Sequence, residues 1–211
     1  MSHHHVHQSH HHGDQPRDRG VTPYDYRIRH VLNRSPDVSK CGPEQTLWTF
    51  WEGSSIPPFE RLCLSNFAEM NPTWTVRVAD VRKAVELVGE LLPPTYRNVT
   101  PFKKQSNLFR IAVLAKCGGV YTDLGSLFLR PNTLSEQFAR MRAAGHEMQL
   151  YHHPWHHDII VNWYIMAARG SSMAWQWNQI QYEYYYNRTE AIKALGDPLF
   201  SSVRGYPATA A

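Results

Sequence analysis

Ala115-Lys116-Cys117-Gly118-Gly119-Val120-Tyr121-Thr122-Asp123-Leu124-Gly125-Ser126-Leu127-Phe128-Leu129-Arg130-Pro131 is the stretch on which the fold turns. It opens on the end of an apolar, helix-like run, where Gly118 and Gly119 can take the left-handed conformation that closes a helix. Lys116 suits the negative end of that helix's dipole. Val120-Tyr121-Thr122 is β-prone and reads as a short interior strand. Asp123 then falls at the strand's carboxyl end, where open α/β sheets bind their ligands. Leu127-Phe128-Leu129 reads as a second apolar strand. A carboxylate between two apolar strands needs a metal, an arginine or backbone amides, because burying it alone costs too much. The alternative is an ordinary turn aspartate, since Asp-Leu-Gly-Ser is good turn chemistry.

Outward from this segment the chain alternates. Thr46-Leu47-Trp48-Thr49-Phe50-Trp51 has strand propensity and ends in the loop residues Glu52-Gly53-Ser54-Ser55. Pro57-Pro58 opens a helix with Phe59, Leu62, Cys63 and Phe67 at helical spacing, stopped by Asn71-Pro72. Trp74, Val76 and Val78 alternate as the next strand. Val81, Ala84, Val85, Val88 and Leu92 mark another amphipathic helix before Pro93-Pro94. Residues 103–117 are apolar almost all round and predict a buried helix. Its Asn107 and Arg110 share a face, and a buried arginine needs a carboxylate or phosphate, whether in a site or in a structural ion pair.

Further on, Met148-Gln149-Leu150-Tyr151 reads as a strand and His152-His153-Pro154-Trp155-His156-His157-Asp158 as a loop rich in potential ligands. Adjacent histidines diverge, and no helical pair at the spacing zinc prefers is present. Ile159 to Ala168 is apolar but for Asn162, which needs a partner if buried. Met173, Trp177, Ile180 and Tyr184 mark a last amphipathic helix. No internal repeat is visible, and the βαβ alternation argues for one α/β domain with a mostly parallel central sheet flanked by helices.

The composition agrees. The chain has 211 residues, 42% hydrophobic and 19% charged, enough to bury one core. Its charge of +4 is carried by scattered residues, so no nucleic-acid stripe is expected, whereas a phosphate-bearing small ligand suits it. Cys41, Cys63 and Cys117 include no CxxC pair, which argues against zinc and against a dense disulfide framework and leaves room for one disulfide and a free thiol. No run is long and apolar enough for a membrane span, and the polar amino terminus does not read as a signal peptide. Residues 1–20, with seven histidines and no apolar periodicity, are expected to be a disordered leader, and residues 21–211 the folded domain. The end at Pro207-Ala208-Thr209-Ala210-Ala211, soon after the last helix, suggests a domain short of a carboxyl-terminal portion. Sequons at Asn33, Asn98 and Asn187 hint at a lumenal history; proline follows the first two.

Taken in order, five landmarks carry a resemblance: residues 47–53, 71–76, 104–110, 118–123 and 162–168. Over roughly residues 45–188 the chain resembles the capsular polysaccharide synthesis family of glycosyltransferases and, more distantly, family-32 glycosyltransferases and the glucosylating toxins. The resemblance implies a GT-A-like, Rossmann-type fold and hexose transfer from a UDP- or GDP-linked sugar to a glycan or other hydroxyl acceptor. It implies that Trp51 stacks on the nucleotide base, and that Asn107 and Arg110 stand where relatives carry an aspartate and an arginine that meet the donor. Asp123 matches the first aspartate of the Asp-x-Asp motif, which holds Mn²⁺ or Mg²⁺ against the diphosphate, while Gly125 replaces the second. Asn162 matches an asparagine near the sugar or acceptor. No residue identifies itself as catalytic base; His152, His153 and Asp158 are candidates only as acceptor-loop residues. Three functions stay in play: an active transferase, a degenerate nucleotide-sugar or glycan-binding module motivated by Asn107 and Gly125, and an unrelated α/β protein whose histidines bind metal.

Overall fold

A computed structural model describes residues 37–153 and 156–186, with the side chains of all but 156–159. The expected leader, the sequons at Asn33 and Asn187, and the side chains of His156, His157 and Asp158 lie outside the described residues. Within them the order is β1 (Thr46–Phe50), α1 (Pro58–Met70), β2 (Thr75–Ala79), α2 (Val81–Val88), α3 (Phe102–Cys117), β3 (Gly119–Thr122), α4 (Thr133–Ala143), β4 (Met148–His153), β5 (His156–Ala167) and α5 (Ser172–Tyr185).

The strands form one five-stranded sheet in the order β2-β1-β3-β5-β4. The pairings of β1 with β2 and with β3 are parallel; those of β3 with β5 and of β4 with β5 are antiparallel. The α/β, GT-A-like architecture is therefore as the sequence suggests, with a mixed sheet whose parallel half carries the βαβ crossovers.

Side chains alternate across the sheet, as strand geometry requires, and fill two cores. Trp48, Phe50, Tyr121, Ile165 and Ala167 pack under α2, α3 and α5. Leu47, Val120, Tyr164 and Met166 pack under α1 and α4. Helix α3 is buried along most of its length, as its composition predicts. It ends at Gly118, where a Cβ would lie 2.5 Å from the Arg169 nitrogen; at Gly119 it would lie 2.3 Å from the Thr46 oxygen. Glycine is thus demanded here by close backbone approach, which seats α3 against the sheet and starts β3 beside β1. A disulfide joins Cys41 to Cys117 at the same corner, and Cys63 is a buried free thiol. Buried Lys116 gives its ammonium to the Leu87 carbonyl at 2.8 Å and to the Glu90 carboxylate, tying α3 to the chain after α2.

Several expectations need correcting. Leu127-Phe128-Leu129 is not a strand: it runs through a loop with Leu129 88% exposed. Three apolar residues satisfy strand propensity, but the Phe128 backbone is bonded to Asn66 of α1, its N–H donating to Oδ1 at 2.7 Å and its carbonyl accepting from Nδ2 at 3.0 Å. Residues 152, 153 and 156–158 continue β4 and β5 as a hairpin rather than forming a loop. In α1, Cys63 and Phe67 are buried whereas Phe59 and Leu62 are exposed. In α5, the core takes Ala174, Asn178, Tyr182 and Tyr184, and Met173 and Ile180 face outward. Aromatic-rich helices offer two stripes of similar apolarity, and packing rather than periodicity chooses between them. Helix α4, which the sequence reading passes over, starts after Asn132 at a φ of 58°.

Candidate functional site

The carboxyl ends of β1 and β3 lie side by side because Leu47 pairs with Val120 and Trp48 with Tyr121. Trp51 leaves β1 three residues after Trp48, and Asp123 leaves β3 two residues after Tyr121. The same end receives the first half of α3, since that helix runs back along the sheet before β3 begins. Three segments distant in sequence therefore converge there.

Their centre is Arg110, 3% exposed. One terminal nitrogen, Nη2, donates to Asp123 Oδ1 at 2.9 Å and to Ser106 Oγ at 3.3 Å. The other donates to the backbone carbonyl of Asn162. The guanidinium lies 4.6 Å from the Tyr121 ring centre, a cation–π arrangement. Tyr121 donates its hydroxyl to Asp123 Oδ1 at 3.0 Å and shares a 2.8 Å bond with Ser106. Burial pushes the Tyr121 phenol up, the nearby Arg110 charge pulling the other way, so it stays a neutral donor. The Asp123 backbone N–H, meanwhile, donates to Trp163 O at 2.9 Å. Asp123 is accordingly held from three sides yet remains 46% exposed, with Oδ1 committed to the protein.

Of the residues singled out from sequence, the structure brings together Arg110, Asp123 and Asn162, the last through its carbonyl rather than its amide. Asn107 is half-buried on α3 one turn before Arg110 and takes no part in this network. Trp51 stands at the end of β1, its indole N–H held by Ser55 O at 3.0 Å and its backbone N–H by Ala79 O at 2.8 Å. Ser106 and Tyr121 were missed. The i, i+4 spacing of Ser106 to Arg110 and the i, i+2 spacing of Tyr121 to Asp123 were the available signals.

Among the described residues Thr49 Oγ1, Tyr96 Oη, Gln105 Oε1, Arg110 Nε and Gln181 Oε1 are buried without a hydrogen-bond partner from the protein. Burial pushes the Tyr96 phenol up, and the charges of Glu52 and Asp80 push the same way, which puts it near the ends of β1 and β2.

A divalent cation of the Mn²⁺ or Mg²⁺ kind takes an octahedral shell of oxygens. Asp123 can offer one free carboxylate oxygen. Gly125 offers no side chain and sits at a φ of 132°, a conformation that an aspartate rarely adopts. Among the described residues no three His, Cys, Asp or Glu side chains gather to hold a metal, the 152–153 histidines included. The described residues do not by themselves make up a protein-held divalent site.

On the other face of the β3–β5 pair lies a second chamber, a cavity of 530 Å³ whose walls include Thr122, Phe128, Gln137, Tyr151, Trp163 and Tyr164. Strand β5 is bulged here: Leu150 of β4 faces Ile165, but the next residue, Tyr151, faces Val161. Residues 162–164 thus swing away from β4, aiming Asn162 O at Arg110 while Trp163 and Tyr164 line the cavity.

With this geometry, residues 33–140, just over half of the chain, match the family described as the glycosyltransferase sugar-binding region containing DXD motif. The chain is also 27% identical over 188 residues to the glycosyltransferase afumC of Aspergillus fumigatus (strain CBS 144.89 / FGSC A1163 / CEA10), an alignment covering 77% of this chain and 46% of that protein. The chain therefore spans about half the length of this curated relative. No solved structure matches it significantly. This chain belongs to the DXD-containing glycosyltransferase sugar-binding family. Regions of this family typically bind a divalent metal; in this chain Asp123 stands at the first position of the motif and Gly125 at the second.

Proposed function

We propose that this family member is a hexosyltransferase that moves a hexose from a UDP- or GDP-linked donor to the hydroxyl of a glycan or other acceptor. The observation that supports it best is a buried arginine spent on aiming one carboxylate out of the end of β3, with the second carboxylate oxygen left uncommitted. The Arg110 side chain is 3% exposed and that of Asp123 46%, so the pair faces an opening rather than the core.

In this reading the Trp51 ring stacks on the nucleotide base, its orientation fixed by the bond to Ser55. The contact contributes on the order of 1–3 kcal/mol. Asp123 accepts a hydroxyl of the donor's sugar or ribose with its uncommitted oxygen. Arg110 is a positioning residue: both its terminal nitrogens are occupied by protein, so it holds Asp123 and Asn162 in register rather than reaching the diphosphate. The charge of the departing diphosphate is met by the first turn of α3, with its free backbone N–H groups and Lys103 and Lys104, at the same end of the sheet. Asn107, on the next turn, is placed to bond a sugar hydroxyl. The domain is proposed to extend over residues 21–211.

Gly125 favours a second reading, a nucleotide-sugar-binding module without turnover, because the second carboxylate is absent and the backbone there disfavours one. A panel of UDP- and GDP-sugars with and without Mn²⁺ decides between them. Donor hydrolysis or transfer that disappears in Asp123→Ala supports the transferase. Saturable nucleotide binding without turnover across the panel supports the module, and no nucleotide binding refutes both.

A further inference from the structure

We propose that the 530 Å³ cavity beneath the 123–131 loop receives the acceptor, and that this acceptor is an alcohol or phenol with an apolar body rather than a soluble glycan. The inference rests on the glycosyl-transfer reading and deepens it. The cavity and the Asp123 network share a wall. Thr122, Ser126 and Trp163 line the cavity, while Asp123 and Asn162, the chain neighbours of Thr122 and Trp163, belong to the network. In this arrangement the acceptor's hydroxyl lies at the carboxyl end of β3, where the chain passes from the cavity wall at Thr122 to Asp123.

The chemistry of the walls selects the body. Leu127, Phe128, Leu129, Tyr151, Val161 and Trp163 supply apolar surface, and no acidic residue lines the cavity. Leu127 is 45% exposed, Leu129 88% and Trp163 48%, so several large apolar side chains stand uncovered around this opening. Some of the polar lining is paired within the protein, and Arg130, His152 and His153 also stand in the wall. Thr122 Oγ1 donates to Ser126 Oγ at 3.3 Å, the Tyr164 hydroxyl donates to Gln137 Oε1 at 2.6 Å, and Arg130 lies 3.7 Å from the Glu136 carboxylate. A glycan brings many hydroxyls, each needing a partner when desolvated, and the Thr122–Ser126 and Tyr164–Gln137 groups are already engaged with each other. The volume is that of a small-molecule site.

In the transfer, the acceptor oxygen forms a bond to the anomeric carbon. The bond from that carbon to the diphosphate oxygen breaks, its electron pair leaving with the nucleoside diphosphate. The acceptor's proton passes to the diphosphate oxygen so released.

The test uses the full chain and two probes, naphthol for the apolar class and maltotriose for soluble glycans, followed by tryptophan fluorescence and by mass spectrometry in the presence of UDP-sugars. UDP binding is measured calorimetrically on the same preparation. Naphthol is expected to bind saturably and to gain one hexose. The double variant Leu127→Gln/Leu129→Gln, altered only at exposed positions, should bind naphthol at least about tenfold more weakly, the loss of two apolar contacts, with UDP binding unchanged. A second variant, Val161→Asn, should act in the same direction. Non-saturable naphthol, naphthol binding indifferent to both variants, or tighter binding of maltotriose in competition with naphthol would each overturn the inference. If UDP binds while naphthol fails, the acceptor assignment falls alone; if neither UDP nor GDP binds, it is the transferase reading that falls.

Discussion

The two faces of the β3–β5 pair present opposite chemistries. Tyr121, Asp123 and the Asn162 carbonyl form a polar network around Arg110, whereas Thr122 of β3, with Trp163 and Tyr164 of the β5 bulge, lines an open apolar cavity. One face spends its polar groups on holding a carboxylate still. The other leaves hydrocarbon exposed. Period-two alternation lets one short strand, β3, serve both.

The contrast can be broken most sharply at Asp123. Asp123→Asn should lower transfer by about 10²–10³-fold, the scale for losing one preorganised electrostatic contact, while naphthol binding in the cavity stays as it was. Equal loss of both would mean that the faces are one site. Breaking the disulfide should act without such discrimination. Cys41→Ser/Cys117→Ser opens a loop with a sequence separation of 76 and should cost about 2–4 kcal/mol in chemical denaturation, weakening both faces only through folding. Trp51→Ala should weaken nucleotide affinity about tenfold, within the range for one stacked base, with acceptor affinity untouched in the same titrations. Chelation with EDTA should weaken UDP binding less than Trp51→Ala does, because the protein offers a metal only one carboxylate oxygen; abolition of binding by EDTA would refute that account.

The smallest effect expected is in alkali, and it touches both faces. Burial pushes the phenols of Tyr121 on one side and Tyr164 on the other above the ordinary tyrosine value. The native state then keeps protons that the unfolded chain loses near pH 10. Stability should be level below that pH and decline as pH rises above it. Tyrosinate absorbance followed alongside thermal unfolding checks this, and Tyr164→Phe should reduce the decline without altering donor binding.

Some of this was readable before any coordinates. Gly118-Gly119 announces a helix end and a strand start, and Asp123 at the strand's carboxyl end announces a site, because local backbone chemistry sets both. Arg110 was legible as a buried cation in want of an anion. Which anion was not, since 13 residues separate Arg110 from Asp123 and nothing in that interval states that α3 folds back over β3. Leu127-Phe128-Leu129 misled for the converse reason: strand propensity is local, whereas the backbone of Phe128 is claimed by the Asn66 side chain, 62 residues away.

The sequence by itself determined the alternation of strands and helices, the buried character of α3, and the residue types gathered around Asp123. These depend on periodicity, propensity and the cost of burying charge, all of which act over a few neighbouring residues. Only the tertiary structure decided that Ser106 and Tyr121 join the network and that Asn162 contributes a carbonyl to Arg110 on one side. It likewise decided that a loop expected to be a strand instead walls a cavity on the other. Those outcomes are set by sheet order and by the bulge in β5, which bring together residues the chain keeps far apart.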